Sequence, residues 1–422
     1  MTDTLQRDQH VEKKASYTRI LRNRPLLLLW LGQLVSRSGD YVFDVAVVWL
    51  VLKMTGSALN VGLTVGTSAL PSVLIAPIAG VYVDRINRRR LLLVSNAVQA
   101  AICLAIALSY SLGDVSFPIL LLLLFALNAA GQFAGGAVSA MLPRIVPPTD
   151  LAAANGLFTM GSSFNQLLGY GLGGIAILAL GIDVPVLYDA LTFVFALSMI
   201  WLIPAAYGSA VREGEPVAMP RPFLESFVEG LSYIRGNRVL LEIVALAISI
   251  NFFGGSVGAL IAPYAEKVLG GNASAYGFLL AAFSLGSIAG ALAVGKVNVR
   301  EHVGSILFGG LAATGALVIL FGMASVTWAA LVISVVMGFF EAAINLPIQV
   351  LVQVKIPGNI LGRTIGTLGA LVSLTVPLAA FVSGGLASML PLPLTYQLLG
   401  ALILITSTVT FTRLTNLRSA SY

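Results

Sequence analysis

Residues that build most enzyme and metal sites are almost absent from this sequence. It has a single cysteine, Cys103, and two histidines, His10 and His302, among 422 residues. A lone cysteine cannot form an intramolecular disulfide or a cysteine metal cluster. Both histidines fall in polar segments, so neither is available for a metal or proton site at membrane depth. We therefore expect no metal, no cofactor and no enzyme, because catalysis inside a membrane would need a nucleophile with a base or metal ligands there.

Charged residues are scarce too, at 10% of the chain, against roughly 25% in soluble domains. Hydrophobic residues make up 58%. Apolar windows of about 20 residues, the length that crosses a bilayer, recur along the whole sequence. They predict twelve transmembrane helices, near residues 25–52, 59–83, 91–111, 116–138, 152–179, 185–205, 239–264, 273–295, 304–323, 326–348, 363–388 and 393–412.

The basic residues alternate between the two sides of this predicted bundle. Of the 24 Lys and Arg residues, only Lys53 and Lys267 fall in connections on one side, and Arg37 alone lies inside a span. Cytoplasmic loops carry the excess of Lys and Arg, so the pattern predicts a multi-pass plasma-membrane protein with both termini in the cytoplasm. Because the net charge of +6 sits in short loops, we expect contacts with membrane lipids and none with nucleic acid.

The chain also resembles itself at an offset of about 210 residues, the mark of an internal duplication. Gly80 aligns with Gly290 and Arg90 with Arg300. The longest interruption, about residues 206–238, divides the apolar segments six and six. The predicted fold class is therefore an all-α integral membrane protein with twelve transmembrane helices in two pseudo-symmetric six-helix bundles, an architecture typical of alternating-access transporters.

The predicted domain organisation follows from these segments. The expected units are a cytoplasmic N-terminal segment (1–24), a first bundle (25–205), a cytoplasmic linker (206–238), a second bundle (239–412) and a cytoplasmic tail (413–422). Within the linker, Phe223, Phe227, Leu231 and Ile234 follow helical spacing. This pattern predicts an amphipathic helix on the cytoplasmic surface.

The loop after the second span reads "GVYVDRINRRRLLL" and resembles the signature Gly-x-x-x-Asp-Arg-x-Gly-Arg-Arg-Arg of the major facilitator superfamily. The matching residues are Gly80, Asp84, Arg85, Arg88, Arg89 and Arg90. Asn87 replaces the usual glycine. After glycine itself, Asn is the residue type that best tolerates a left-handed backbone conformation. The resemblance implies that the six matching residues form a cytoplasmic gate between the two halves, which we expect to favour the outward-open state when Asp84 meets the helix N-terminus near Arg363.

Three further stretches are similar to the macrolide-efflux and enterobactin-export branch of that superfamily. They are "LWLGQLVSRSGD", "MLPRIVPPTDLAAANGL" and "EGLSYIRGNRVL". Two positions depart from the pattern of the drug-proton antiporters. The fourth span carries Asn128 and Gln132 where those proteins usually have an arginine, and Tyr170 stands where their fifth span usually has a proline.

Charge inside the first span is the most informative feature of the residues themselves. Gln33, Arg37, Asp40 and Asp44 lie at i, i+4, i+7 and i+11, which places them on one stripe of a helix. Trp30 and Trp49 flank the stripe as expected interfacial anchors. Each charge at that depth costs at least about 2.5–3.5 kcal/mol, so the stripe must face a wet cavity or its members must pair. Arg37 and Asp40 are spaced to pair.

Polar residues in other spans are expected to line the same cavity. Glu341, an acid in the inner half of span ten, joins Asp40 and Asp44 as a proton-coupling candidate. The substrate-cavity candidates are Gln33, Arg37, Asn128, Gln132, Asn165, Gln166, Asn251 and Asn345. For each amide, a simple interhelical hydrogen bond is the alternative. Asp189 and Glu242 lie near helix ends, where a carboxylate can reach water, so we expect a structural role for both.

Together these features predict a secondary transporter that exports small amphipathic or hydrophobic compounds, drug-, macrolide- or siderophore-like, by alternating access and proton antiport. Its partners would be a small-molecule substrate, protons and membrane lipids, and it would act as a monomer. An uncoupled facilitator or an importer of a small organic solute would keep the polar cavity without depending on the proton gradient. A non-transporting scaffold would explain the helices but not a charged stripe at mid-membrane.

Overall fold

Long apolar runs separated by capping residues set the helices of this chain. The computed structural model describes residues 20–113, 116–209, 223–295 and 299–413, and every regular element within these ranges is helical. Most of the expected N-terminal segment, residues 210–222 of the expected linker and nearly all of the expected tail lie outside the described residues. The helical fold class predicted from the sequence is therefore confirmed for the described part of the chain.

Fifteen helices follow one another along the described chain. Those before residue 205 are α1 (Arg24–Thr55), α2 (Ala58–Leu74), α3 (Ala76–Arg85), α4 (Arg88–Ser111), α5 (Phe117–Ile145), α6 (Leu151–Leu180) and α7 (Asp183–Trp201). Those after residue 222 are α8 (Phe223–Gly236), α9 (Arg238–Lys267), α10 (Ala273–Val294), α11 (Val299–Met323), α12 (Thr327–Lys355), α13 (Gly358–Ser373), α14 (Thr375–Met389) and α15 (Leu392–Arg413). We call α1–α7 the first half and α9–α15 the second half.

Length and hydropathy single out ten spans among the described residues that could cross a membrane, and the bent pair α2 and α3 would make an eleventh. The bend between α2 and α3 is 43°. Pro71 lies inside α2, and a second proline, Pro77, opens α3, which explains the break because proline removes a helical hydrogen bond. Helix α1 has 32 residues and is long enough to span, but its charged stripe makes it less apolar than the others.

Local signals fix where the helices begin and end. The Asn23 side chain accepts a hydrogen bond from the Leu26 amide at the start of α1, and Asn272 accepts two at the start of α10. Such caps satisfy amides that have no partner inside the helix. Helix α1 ends at Gly56, whose φ of 60° is a left-handed conformation that glycine adopts without strain.

Helix packing repeats between the two halves. In the first half, α1 packs on α6 and α7, α4 on α5 and α7, and α2 on α5. The corresponding contacts in the second half are α9 on α14 and α15, α11 on α12 and α15, and α10 on α12. Across the halves, α2 packs on α14 and α6 packs on α10. These four helices therefore form most of the interface between the halves.

Glycines bring the two halves together at one end of the bundle, which we call the Lys53 end. A Cβ atom added to Gly62 of α2 would strike the Ala380 carbonyl oxygen of α14. A Cβ atom on Gly277 of α10 would strike the Tyr170 carbonyl oxygen of α6 in the same way. Backbones approach this closely only where the side chain is missing. We call the opposite end, where α3 meets α4, the Arg89 end.

The helix predicted between residues 223 and 234 is present as α8. It packs on α13, and the Arg363 guanidinium of α13 forms an ion pair with Glu229. The Thr367 hydroxyl of α13 donates to the Phe227 carbonyl oxygen at 3.3 Å. Ile234, one of the predicted apolar positions, is fully buried. Helix α8 is therefore fixed to the second half.

Candidate substrate cavity

All four residues of the charged stripe reach one cavity. Gln33, Arg37, Asp40 and Asp44 line a central cavity of about 670 Å³. Most of its walls belong to the first half, and Gly258 is one of the few lining residues from the second. The expectation that the stripe faces a cavity rather than lipid agrees with this geometry.

Helices α4 and α5 supply neutral polar groups to the same cavity. Asn128 and Gln132 of α5 line it, as predicted, and so do Asn96 and Gln99 of α4. The Asn128 amide also donates to the Leu124 carbonyl oxygen of its own helix at 2.9 Å. Asn96 and Gln99 are buried polar residues whose i, i+3 spacing in an apolar helix was a usable sequence signal. The central cavity is thus polar on three of its helices.

The ion pair expected between Arg37 and Asp40 is absent. Within the described residues, no hydrogen bond or ion pair involves Arg37, Asp40 or Asp44. Arg37 and Asp44 are both exposed, and Asp40 is half-buried, because the cavity gives their heads room. Among the described lining residues Arg37 is the single cation, facing three carboxylates.

The third carboxylate is Asp189 of α7, which the sequence reading had assigned to a helix end near water. The expected access to water is wrong, because Asp189 is 1% exposed and lines the central cavity, whereas the structural role expected for it stays a prediction. The Cys103 thiol donates to its Oδ2 atom at 3.3 Å, and the Thr192 hydroxyl lies 3.3 Å from its Oδ1 atom. Gly39 of α1 allows this approach, since a Cβ there would strike the Asp189 carboxylate. Glu242 is also buried.

Glu341 of α12 lies in a different place from the aspartates. It lines a mainly apolar cavity of about 240 Å³ that lies mostly in the second half, includes Gln166 of α6, and adjoins the central cavity at Tyr170, Gly258 and Leu280. Its carboxylate accepts hydrogen bonds from the Ser287 hydroxyl at 3.1 Å and from the Asn345 amide at 2.7 Å. Asn345 therefore orients Glu341. The structure does not bring the three predicted coupling acids into a single cluster.

Two of the predicted amides serve contacts within or between helices. Asn165 of α6 is 8% exposed, donates to the Leu34 carbonyl oxygen of α1 and lines a separate cleft described below. Asn251 of α9 donates to the Ala247 carbonyl oxygen one turn earlier at 2.9 Å and lines none of these cavities. This bond lies within one helix, so neither the substrate contact nor the interhelical hydrogen bond expected for Asn251 is seen among the described residues.

Charged contacts close the Lys53 end in a reciprocal way. Lys53 of α1 forms an ion pair with Glu266 of α9 at 2.6 Å, and Lys267 of α9 donates to the Gly56 carbonyl oxygen at 2.6 Å. Trp49 is buried and stacks on Tyr276 of α10, with ring centres 6.4 Å apart. The expectation that Trp49 anchors in the lipid interface was therefore wrong. Each half sends one lysine into the other half at this end.

At the Arg89 end, the signature motif makes its contacts within its own half, as far as the described ranges show. Arg89 donates to the carbonyl oxygens of Ile200 and Trp201 at 3.2 and 2.6 Å, and so neutralises the C-terminus of α7. Arg88 donates to the Ala140 carbonyl oxygen of α5. Gly80 would meet nothing with an added Cβ, and Asp84, Arg85 and Arg90 are exposed. The predicted meeting of Asp84 with α13 is not made in this conformation.

No metal site accompanies these cavities in the described ranges, where no group of three or more His, Cys, Asp or Glu residues is arranged to hold an ion. Many apolar helices around a polar cavity at the interface of two halves define a multi-pass membrane transporter. The family model of transmembrane secretion effectors (MFS_3) matches residues 16–421. The chain belongs to this family of major facilitator superfamily transporters, and it is not an enzyme.

Named relatives agree with the family. The chain is 27% identical over 396 residues to the multidrug efflux pump Tap of Mycolicibacterium fortuitum, covering 91% of this chain and 94% of that protein. It is 25% identical to the putative bacilysin exporter BacE of Bacillus amyloliquefaciens, covering 78% and 80% of the two chains. The predicted resemblance to the drug and exporter branch is confirmed, and a small molecule is the class of substrate that the family implies.

Solved structures share the fold at low sequence identity. A bacterial homologue of ferroportin in its inward-facing state matches with a TM-score of 0.70 and 17% identity, covering 96% of this chain and 100% of that one. An inward-facing bacterial homologue of the lysosomal transporter Spinster matches with a TM-score of 0.68 and 16% identity, covering 94% and 96%. At these identities the likeness shows the fold alone.

Proposed function

We propose that this protein is a plasma-membrane exporter of small amphipathic or hydrophobic compounds, working by alternating access and driven by proton antiport. The observation that carries the proposal is the pair Asp40 and Asp44, two carboxylates that line the central cavity and make no hydrogen bond or ion pair within the described residues. Carboxylates at membrane depth are costly and usually serve ion or substrate pathways. Multidrug export by the relative Tap supports the direction and the substrate class.

The same proposal includes twelve spans in two six-helix bundles, with α8 in the connecting linker. The repeated packing of α1–α7 and α9–α15 supports the duplication. Treating α1 as a span, joining α2 to α3 and joining α13 to α14 gives six crossings in each half. The excess of basic residues at the Arg89 end supports a cytoplasmic location for that end and for both termini. Both bundles belong to the same chain, so the proposal requires only a monomer.

In this orientation the described conformation faces inward. The halves meet at the Lys53 end, which becomes the outer face, and the motif at the Arg89 end is disengaged. Substrate would enter from the cytoplasm while Asp40 and Asp44 are charged. Protonation of these acids from outside would then favour release and return, because a ligand shifts the equilibrium only through its different affinity for the two states.

The signature residues are proposed to hold the cytoplasmic side closed in the other conformation. Asp84 is free to reach α13 when the halves rock together, and Arg363 of α13 is engaged by Glu229 of α8 until then. Lys53 and Lys267 are proposed to hold the outer side closed in the described conformation. This role explains why these two lysines alone break the positive-inside pattern.

We expect Lys53→Glu to shift the equilibrium toward the outward-open state, and Lys53→Glu with Glu266→Lys to restore it. The pair is partly exposed, at 52% and 23% of the two side chains, so we expect a shift of about 0.5–1 kcal/mol. Access of a membrane-impermeant thiol reagent to a cavity cysteine, introduced as Ser68→Cys, measures the shift. Equal labelling of the single and double variants would contradict the contact's role.

Efflux measured in liposomes tests the proposed function itself. With an imposed pH gradient, we expect Asp40→Asn and Asp44→Asn to lower the gradient-driven transport of ethidium or a macrolide at least about tenfold, because an amide cannot carry the proton. Glu341→Gln should change substrate affinity more than proton dependence, since Glu341 lines the mainly apolar cavity, whose lining does not include Asp40 or Asp44.

The matched control is Glu225→Gln, which neutralises an exposed acid of α8 and should leave transport unchanged. Full gradient-driven activity in all three cavity variants would remove these acids from the coupling mechanism. An uncoupled facilitator or importer is the second candidate, favoured by Asn128 and Gln132 in place of the usual arginine. It predicts transport that follows the substrate gradient and ignores the pH gradient.

A further inference from the structure

Arg37 faces a second space that the acids do not reach. It lines both the central cavity and a side cleft of about 260 Å³ between α1, α5 and α6. Trp30 forms one wall of this cleft and is held by a hydrogen bond from its Nε1 atom to the Leu157 carbonyl oxygen at 3.2 Å. Arg37 follows Trp30 by seven residues, so it lies about 10 Å further along the helix.

The side cleft offers hydrogen-bond donors and no acid among its described lining residues. Gln33 and Asn155 present side-chain amides that have no hydrogen-bond partner in the described part of the chain. The Asn165 side-chain amide donates one hydrogen to the Leu34 carbonyl oxygen, and its second N–H can donate to a ligand. The cleft therefore combines one guanidinium with several amide N–H groups, the donor set that binds an oxyanion.

The Arg37 guanidinium makes no hydrogen bond within the described residues. The Asp40 and Asp44 carboxylates act on Arg37 through space, but no acid within the described residues forms a hydrogen bond or an ion pair with its guanidinium. A planar guanidinium matches a carboxylate or a phosphate with two parallel hydrogen bonds. The N–H donors of the Arg37 guanidinium are therefore available to a bound molecule.

We propose that the side cleft is an oxyanion site in which Arg37, Gln33 and Asn155 bind a carboxylate or phosphate group. The group belongs either to a transported solute or to a lipid headgroup from the adjoining leaflet. With Asp40 one turn away on the same helix, the transporter then offers neighbouring sites for an anionic and a cationic group. For solutes, this rests on the proposed function and adds to it: molecules that carry both kinds of charge are preferred.

Equilibrium binding to the full chain in maltoside micelles, which contain no anionic lipid, tests this site. The solute probe is benzoyl-phenylalanine, and its matched neutral partner is benzoyl-phenylalanine amide. The lipid probe is dioleoylphosphatidic acid, matched by dioleoylglycerol. Calorimetry should show saturable binding of the acid probes and at least about tenfold weaker binding of the neutral ones, because hydrogen bonds to charged groups are the strong ones.

Three variants locate the binding at Arg37. We expect Arg37→Gln to weaken acid binding about tenfold or more. Arg37→Lys should weaken it less, since lysine keeps the positive charge but lacks the two parallel N–H donors of the guanidinium. Asn155→Ala, at the exposed edge of the cleft, should weaken it more mildly and guards against misfolding of the Arg37 variants. Arg235→Gln removes an exposed cation of α8 and should leave binding unchanged.

Equal affinity for the acid and its amide, or acid binding that survives Arg37→Gln, would overturn the proposal. Displacement of benzoyl-phenylalanine by phosphatidic acid assigns the site to both sources, whereas solute binding without displacement assigns it to the solute. Because binding is measured without transport, the two proposals fail separately. If the oxyanion proposal fails, the result of the efflux experiment still stands, and if proton coupling fails, the result of the Arg37 binding experiment still stands.

Discussion

Replacing Gly62 by leucine is expected to abolish most export while leaving the protein folded. An added Cβ at Gly62 of α2 would strike the Ala380 carbonyl oxygen and lie 3.0 Å from the Gly384 Cα atom of α14. Both clashes are between the two halves at the Lys53 end, and neither is within a half. They disappear if the halves separate there, so the substitution should destabilise only the conformation that is closed at that end.

The effect of Gly62→Leu is expected to be large because the new side chain would clash with backbone atoms of α14. Overpacking costs about 1–3 kcal/mol, and backbone atoms cannot rotate away as a side chain can. A shift of that size changes the ratio of two states by about 5- to 150-fold. An exporter must visit the state that loads from the cytoplasm, so we expect transport to fall by a similar factor.

Gly385→Leu is the matched control, because Gly385 neighbours Gly384 on α14 and an added Cβ would meet nothing within 4 Å. The measurement is labelling of Ser68→Cys from outside, in a Cys103→Ser background. Gly62→Leu should raise labelling, and Gly385→Leu should leave it at the level of the parent. Normal export by Gly62→Leu would mean that the closure of the Lys53 end is not part of the transport cycle.

Features that depend on one helix were readable from the sequence. The stripe Gln33, Arg37, Asp40 and Asp44 needs only the 3.6-residue period of α1, and its four members do line one cavity. Local composition was likewise sufficient to predict the helical class, and a short motif was sufficient to indicate the family. Hydropathy along the chain was sufficient for these predictions because each is decided within a single segment.

Features that depend on which helices meet were not readable. Asp189 was assigned to water because it lies near the start of α7, yet the packing of α7 on α1 and α4 buries it beside Gly39 and Cys103. Trp49 has the position of an interfacial anchor, but the contact between the halves buries it against Tyr276. Gly39 and Cys103 are more than thirty residues from Asp189 in the sequence, and Tyr276 is likewise distant from Trp49. A pattern within one helix therefore could not predict these contacts.

The separation of Glu341 from the aspartates has the same origin. A polar stripe on α12 predicted a cavity-facing acid, and Glu341 does face a cavity. Which cavity it faces is decided by how closely α12 packs on α10. Three glycines in these helices, Gly286, Gly290 and Gly338, let the two backbones touch. This contact sets the position of Ser287 against the Glu341 carboxylate.

Replacing Gly286 by leucine is therefore expected to cause the largest loss of folded protein of any variant considered. Its added Cβ would strike the Val335 carbonyl oxygen and lie 3.0 Å from the Phe339 amide nitrogen, while Gly338 is pressed in turn against the Phe283 carbonyl oxygen. These contacts lie within the second half, so no rocking of the halves relieves them. We expect the free energy of unfolding to fall by about 3 kcal/mol or more, the upper range of overpacking.

Thermal unfolding in detergent and the yield of monodisperse protein measure this loss. Gly309→Leu in α11, where an added Cβ meets nothing within 4 Å, should unfold like the parent. Gly286→Leu with Val335→Ala should remain as unstable as Gly286→Leu alone, because the obstacle is a backbone carbonyl that truncating a side chain does not move. Rescue by Val335→Ala would instead show that side-chain crowding, and not direct backbone contact, holds α10 against α12 and so fixes where Glu341 lies.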